Sequence, residues 1–109
     1  MDKTTFENTK ELIAQDFELE AVEGESITEE QLLMLLAERM DFLIQNRPEF
    51  LFSLMYRLDV DERKVEAALS PIAPEPGHIE LARLVIERQR KRAFTKQFYK
   101  QEELDDLDW

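Results

Sequence analysis

Carboxylates are the commonest reactive groups in this chain, and Asp59, Asp61 and Glu62 form a tight cluster of them between two apolar stretches. Closely spaced carboxylates suit a hard cation such as calcium. A calcium loop opening at Asp59 needs an oxygen ligand at its fifth position, glycine at its sixth and glutamate at its twelfth. The chain places Arg63, Lys64 and Ser70 there, so helix capping is the better account. His78 is the only histidine and follows Gly77. An imidazole suits a general base. Yet Ser26, Ser53 and Ser70 stand in no GxSxG or SxxK context, and no HExxH spacing exists. Glu38 with Asp41, and Glu62 with Glu66, have helical spacings that could bring carboxylates together, but both pairs are predicted to face water. Two isolated glycines make no phosphate cradle, and the absence of cysteine removes thiolate chemistry and disulfides. The expectation is a non-enzyme with no metal and no cofactor.

The elements that would have to position these groups are helical. Two glycines and four prolines in 109 residues, with apolar residues at helical rather than alternating intervals, predict an all-α domain. Four to five helices in a bundle-like arrangement around a central helical hairpin account for residues 1–100. The hairpin covers about 28–58. Thr28 and Gln31 make a capping box, Ile27 and Leu32 a hydrophobic staple, and Glu29 and Glu30 suit the positive end of the helix dipole. Leu32, Leu33, Leu36, Met40, Leu43 and Ile44 then share one face. Pro48 starts the second arm, which is apolar on several sides and therefore expected to be central.

A first helix is predicted over about 5–19, with Asn8 and Glu11 as its capping box and Phe6, Ile13 and Phe17 on one face. A loop should follow around Glu20 to Glu25. Asp61 opens a short helix over 61–69, ended by SPIAPEPG, a linker expected to be partly polyproline-like. The last helix runs over about 78–99 with a stripe of Ile79, Ala82, Ile86 and Ala93, and Leu81, Leu84 and Val85 extend the apolar surface of its first half. Its second half carries charge nearly all round and should be more exposed. Residues 101–109, QEELDDLDW, read as a flexible acidic tail.

The pattern YRLDVDERKVEAAL followed by LARLVIERQ resembles small helical bacterial proteins of unassigned function. The resemblance spans roughly Leu32 to Arg92, supports the all-α class and carries over no functional residue.

Charge narrows the partners. The formal net charge of −11 disfavours a nucleic-acid binder as a whole. The charge is uneven, though. Residues 1–77 hold 7 Lys/Arg against 18 Asp/Glu, residues 78–100 hold 7 against 2, and residues 101–109 hold 5 acids alone. The segment with Arg88, Arg90, Lys91, Arg92 and Lys96, interleaved with Phe94, Phe98 and Tyr99, makes a nucleic-acid-associated regulator the alternative reading. Solvated helix end is the simpler one, since cations suit a helix C-terminus. The tail is a candidate docking peptide through Leu104, Leu107 and Trp109, able to fold back over Arg88 to Arg92.

The favoured reading is a protein that binds another protein or a second copy of itself. Leu35, Phe42, Phe52 and Tyr56, with Met34, supply more apolar faces than one short bundle readily buries. The N-terminus has neither a basic nor an apolar leader region, and the longest apolar run, Leu32 to Ala37, is far too short for a bilayer. A soluble cytoplasmic protein with no membrane contact is expected.

Overall fold

Helix caps and apolar stripes build a domain of five helices, without strands among the described residues. The structure is a computed structural model. It describes residues 1–19 and 26–107, and side chains for 1–19 and 26–97. The helices are α1 (Lys3–Phe17), α2 (Glu29–Asn46), α3 (Pro48–Arg57), α4 (Glu62–Ala68) and α5 (Gly77–Leu107). The loop expected around Glu20 to Glu25 lies outside the described residues. Among the described residues no helix is long and apolar enough to cross a membrane.

The capping box that opens α2 is present in both directions. Thr28 Oγ1 accepts from the Gln31 amide at 3.1 Å, and Gln31 Oε1 accepts from the Thr28 amide at 2.8 Å. The expected face of α2 is buried at Leu32, Leu33, Leu36, Met40 and Leu43, with Ile27 and Ile44 packed at its edge. For α1 the expected cap is wrong. Asp2, not Asn8, caps the helix, its carboxylate accepting from the Thr5 amide at 2.8 Å and from the Thr5 hydroxyl at 2.9 Å. Those bonds hold Asp2 below the ordinary carboxylate range, and they start the helix at Lys3 rather than near residue 5. Asn8 is thereby left inside the helix.

The spine of the fold is α5. It packs along α1, α2 and α4, and it runs antiparallel to α1: Thr5 meets Gln97, and Asp16 meets Gln89. Its buried line is Leu81, Ala82, Val85, Gln89 and Ala93. That line keeps the expected Ala82 and Ala93 and centres on Leu81 and Val85 from the adjoining apolar surface, leaving Ile79 and Ile86 at the margin. This centring follows from Gln89, a polar residue drawn fully inside by a hydrogen bond to Asp16. The alanines let α1 and α2 approach closely.

α3 is not the central helix that its apolar composition suggests. Leu51, Leu54 and Met55 are buried, whereas Phe52 and Tyr56 stand in solvent. Asp61 caps α4 as expected, accepting from the Arg63 amide at 2.9 Å. The linker after α4 is a turn, not a polyproline segment. The Ala73 amide donates to the Ser70 carbonyl at 3.1 Å, around Pro71 and Ile72. Gly77 then lets α5 start against α4, since a Cβ there would sit 3.2 Å from the Ala68 carbonyl oxygen. At its other end α5 continues to Leu107, so helix occupies 101–107 where a loose tail was expected.

Among the described residues, two carry left-handed backbone without being glycine, Glu18 (φ 56°) and Asp59 (φ 60°). Each terminates a helix, α1 and α3 respectively, at the place where glycine is the usual stop. Glu18→Gly is expected to raise stability by about 0.5–1 kcal/mol, the relief of left-handed strain being partly offset by a freer unfolded chain. Thr28→Ala should cost about 1 kcal/mol by removing the α2 cap. Thermal denaturation followed by circular dichroism checks both signs.

Candidate protein-interaction surfaces

Three surfaces gather the residues that the sequence singles out. The first is the outer side of α3, where Phe52 and Tyr56 stand one turn apart at 47% and 87% exposure. Helical periodicity requires this. With Leu51, Leu54, Met55 and Leu58 turned inward, positions 52 and 56 have no neighbouring element to cover them. Phe42, on α2, is half exposed, with the Arg39 guanidinium 6.0 Å from its ring centre. Leu35 differs from these three. It is partly buried and packs against the core, so the expected four-residue interface is divided between two helices and two environments.

The second surface is a shallow groove of about 590 Å³ along α2, which sequence reasoning did not find. Ile27, Met34, Leu35 and Ala37 give it an apolar floor, and Glu30, Glu38 and Asp41 line it with carboxylates. His78 contributes from the first turn of α5. Glu38 and Asp41 point outward, as their spacing predicts. The signal for the groove is present in the sequence as carboxylates alternating with apolar residues over 30–41, but His78 reaches it only through the tertiary fold.

The third is the basic part of α5, and the structure disperses it. Arg88 turns toward the protein: its Nε donates to the Leu58 carbonyl at 3.0 Å, and its guanidinium lies 3.5 Å from the Asp59 carboxylate. It thereby satisfies a carbonyl at the end of α3 that the helix leaves open. Arg90 grips Glu87 through two bonds of 2.6 and 3.1 Å, which hold the Glu87 carboxyl below its ordinary range. Lys91 lies 3.9 Å from the same carboxylate. Arg92 and Lys96 are exposed. At 100° per residue, Arg88, Lys91, Arg92 and Lys96 fall within an arc of about 140° while Arg90 projects from the opposite side, so no single face presents all five cations.

The side chains of Leu104 and Leu107, and the whole of Trp109, lie outside the described residues. Within a continuous α5, residue 104 stands roughly 18 Å along the helix axis from Arg92, at 1.5 Å per residue. A tail folded back over Arg88 to Arg92 requires that helix to break.

One further polar cluster sits inside the α1–α5 seam. Gln89 is fully buried; its Nε2 donates to Asp16 at 2.6 Å, and its Oε1 has no partner among the described residues. Burial pushes the Asp16 carboxyl above its ordinary range, against the smaller opposing pull of Arg92 and Arg57. No family model, curated protein or solved structure matches the chain.

The Asp16 environment sets a pH dependence. A carboxyl whose pKa is raised by folding binds its proton more readily in the folded state, so its contribution to stability falls as pH rises past the ordinary aspartate value of 3.8. Asp16→Asn keeps an acceptor for Gln89 and removes the buried charge. It is expected to unfold at a higher temperature than the wild type at neutral pH. The gap should close as the solution is acidified and Asp16 is protonated in both states. Melting curves of the two proteins across that range test the sign.

Proposed function

We propose that the protein is a non-enzymatic protein-interaction module that pairs with a second copy of itself through the outer face of α3. The observation that carries this reading is the exposure of Phe52 and Tyr56 side by side on a helix whose other face is fully engaged in the core. Exposed aromatics grouped in this way favour an interface, because each removes roughly 150–250 Å² from water on burial. The pairing is isologous: Phe52 of one copy packs against Tyr56 of the other about a two-fold axis. Four aromatic rings and their neighbours give a contact at the low end of specific interfaces, so the association is weak and concentration-dependent. Phe42 borders the same hairpin and extends the apolar area.

The dispersal of the α5 cations offers little support for a nucleic-acid role. The acidic remainder of the chain further opposes a long polyanion.

Sedimentation velocity over a concentration series tests the proposal. The wild type should shift from monomer to dimer at micromolar concentrations. The Phe52→Ser/Tyr56→Ser variant should remain a folded monomer throughout, since neither side chain supports the core. A wild type that stays monomeric across the series rejects self-pairing.

A further inference from the structure

We infer that the groove along α2 is a docking site for a basic amphipathic helix of another protein. Its occupant is recognised by two complementary features, an apolar floor and a carboxylate wall. Met34, more than half exposed, and the partly buried Leu35 offer the floor. Glu30, Glu38 and Asp41 surround it, and no Lys or Arg contributes to the lining. Among the described residues none of these three carboxylates has a salt-bridge partner. Asp41 accepts a hydrogen bond only from the neutral Gln45 amide, at 2.9 Å. Arg83 feels the Glu30 charge, but its guanidinium is held in two bonds by Glu75, at 2.8 and 3.1 Å. The charge of the groove is therefore left for an incoming partner to neutralise.

Shape selects the kind of partner. The acidic residues from Glu30 to Asp41 extend over eleven helical steps, or roughly 16 Å at 1.5 Å per residue. A shallow trough of that length matches about three turns of a helix laid alongside α2, with apolar anchors spaced at i, i+4 and i+7. Lys and Arg flanking those anchors would meet Glu30, Glu38 and Asp41. A polyanion or an anionic membrane surface meets like charge here. The site is separate from the self-pairing face, since no α3 residue lines it.

Fluorescence anisotropy with a labelled synthetic Leu/Lys amphipathic helix tests the inference, with a Leu/Glu helix of identical apolar pattern as control. The Leu/Lys helix should bind the wild type, and raised salt should weaken it. Glu38→Lys/Asp41→Lys should lower affinity about tenfold or more, and Met34→Ser should lower it as well. At protein concentrations below the pairing range, Phe52→Ser/Tyr56→Ser should bind like the wild type, which keeps the two readings distinguishable. The inference is overturned if the Leu/Glu helix binds equally well, if neither peptide binds, or if Glu38→Lys/Asp41→Lys binds like the wild type. It is also overturned if that variant abolishes self-association in sedimentation, because the groove would then belong to a second copy.

Discussion

The seam between α5 and the α1/α2 pair is the contact on which the rest of the structure depends. α5 is 31 residues long and its mean composition is polar, so it has only a narrow apolar line with which to hold the fold together. That line sets small side chains, Ala82, Val85 and Ala93, beside the larger Leu81 and the buried Gln89. Small residues bring the helix axes close, and closeness makes it costly for a polar group along the seam to go without a partner. Thr5 reaches Gln97, Asp16 reaches Gln89, and Arg88 reaches the Leu58 carbonyl. These three contacts stand at successive heights along α5 and determine how it is rotated. A helix rotated by even one position would carry Gln89 out of the seam and bring a charged neighbour in.

The same constraint explains which parts of the architecture are legible in the sequence. The all-α class, the capping box at Thr28 and the buried face of α2 follow from local chemistry: a side chain and an amide three residues apart, and a period of 3.6. The cap at Asp61 belongs to the same category. The rank of the helices does not. α3 is more apolar than α5, yet α5 is the spine, because centrality depends on how many elements a helix can lie against. The turn chemistry at Pro48 holds α3 to one side of α2, where the outer half of its apolar surface meets no other element. The α5 seam centres on Leu81 and Val85 rather than on Ile79 and Ile86 for a related reason. Apolar periodicity assigns Gln89 to the surface, and only the distant Asp16 makes its burial tolerable. Asp2 was passed over as a cap because Asn8 and Glu11 fit the capping-box pattern equally well locally.

For the candidate surfaces, the exposed aromatics are legible because they are surplus to a single helical face, and Phe42, Phe52 and Tyr56 are indeed exposed. The basic segment looked coherent in one dimension and is not coherent in three. Consecutive cations on a helix are turned by 100° each, and Glu87 and the Leu58 carbonyl engage three of them, Arg90, Lys91 and Arg88. The groove is a tertiary feature. Its carboxylates are visible in the sequence as a solvated helix side, but the depth beside them exists only where Ile27 and His78 come in from outside α2.

These surfaces differ in the physics that would govern them, and that difference bears on how one small chain could hold two contacts at once. The α3 face is aromatic; association there depends on apolar area and responds little to salt. The α2 groove combines apolar contact with uncompensated negative charge, so binding there is steered by the field of the whole molecule and screened by ions. A net charge of −11 acts oppositely on the two. It would repel a second copy of the same chain, holding the proposed self-pairing to the weak regime, while it would attract a cationic helix from a distance. A bound basic helix would cancel part of that charge and reduce the repulsion between copies. Docking at α2 would then favour pairing at α3 without any change of backbone, a coupling carried by charge alone and therefore lost at high ionic strength.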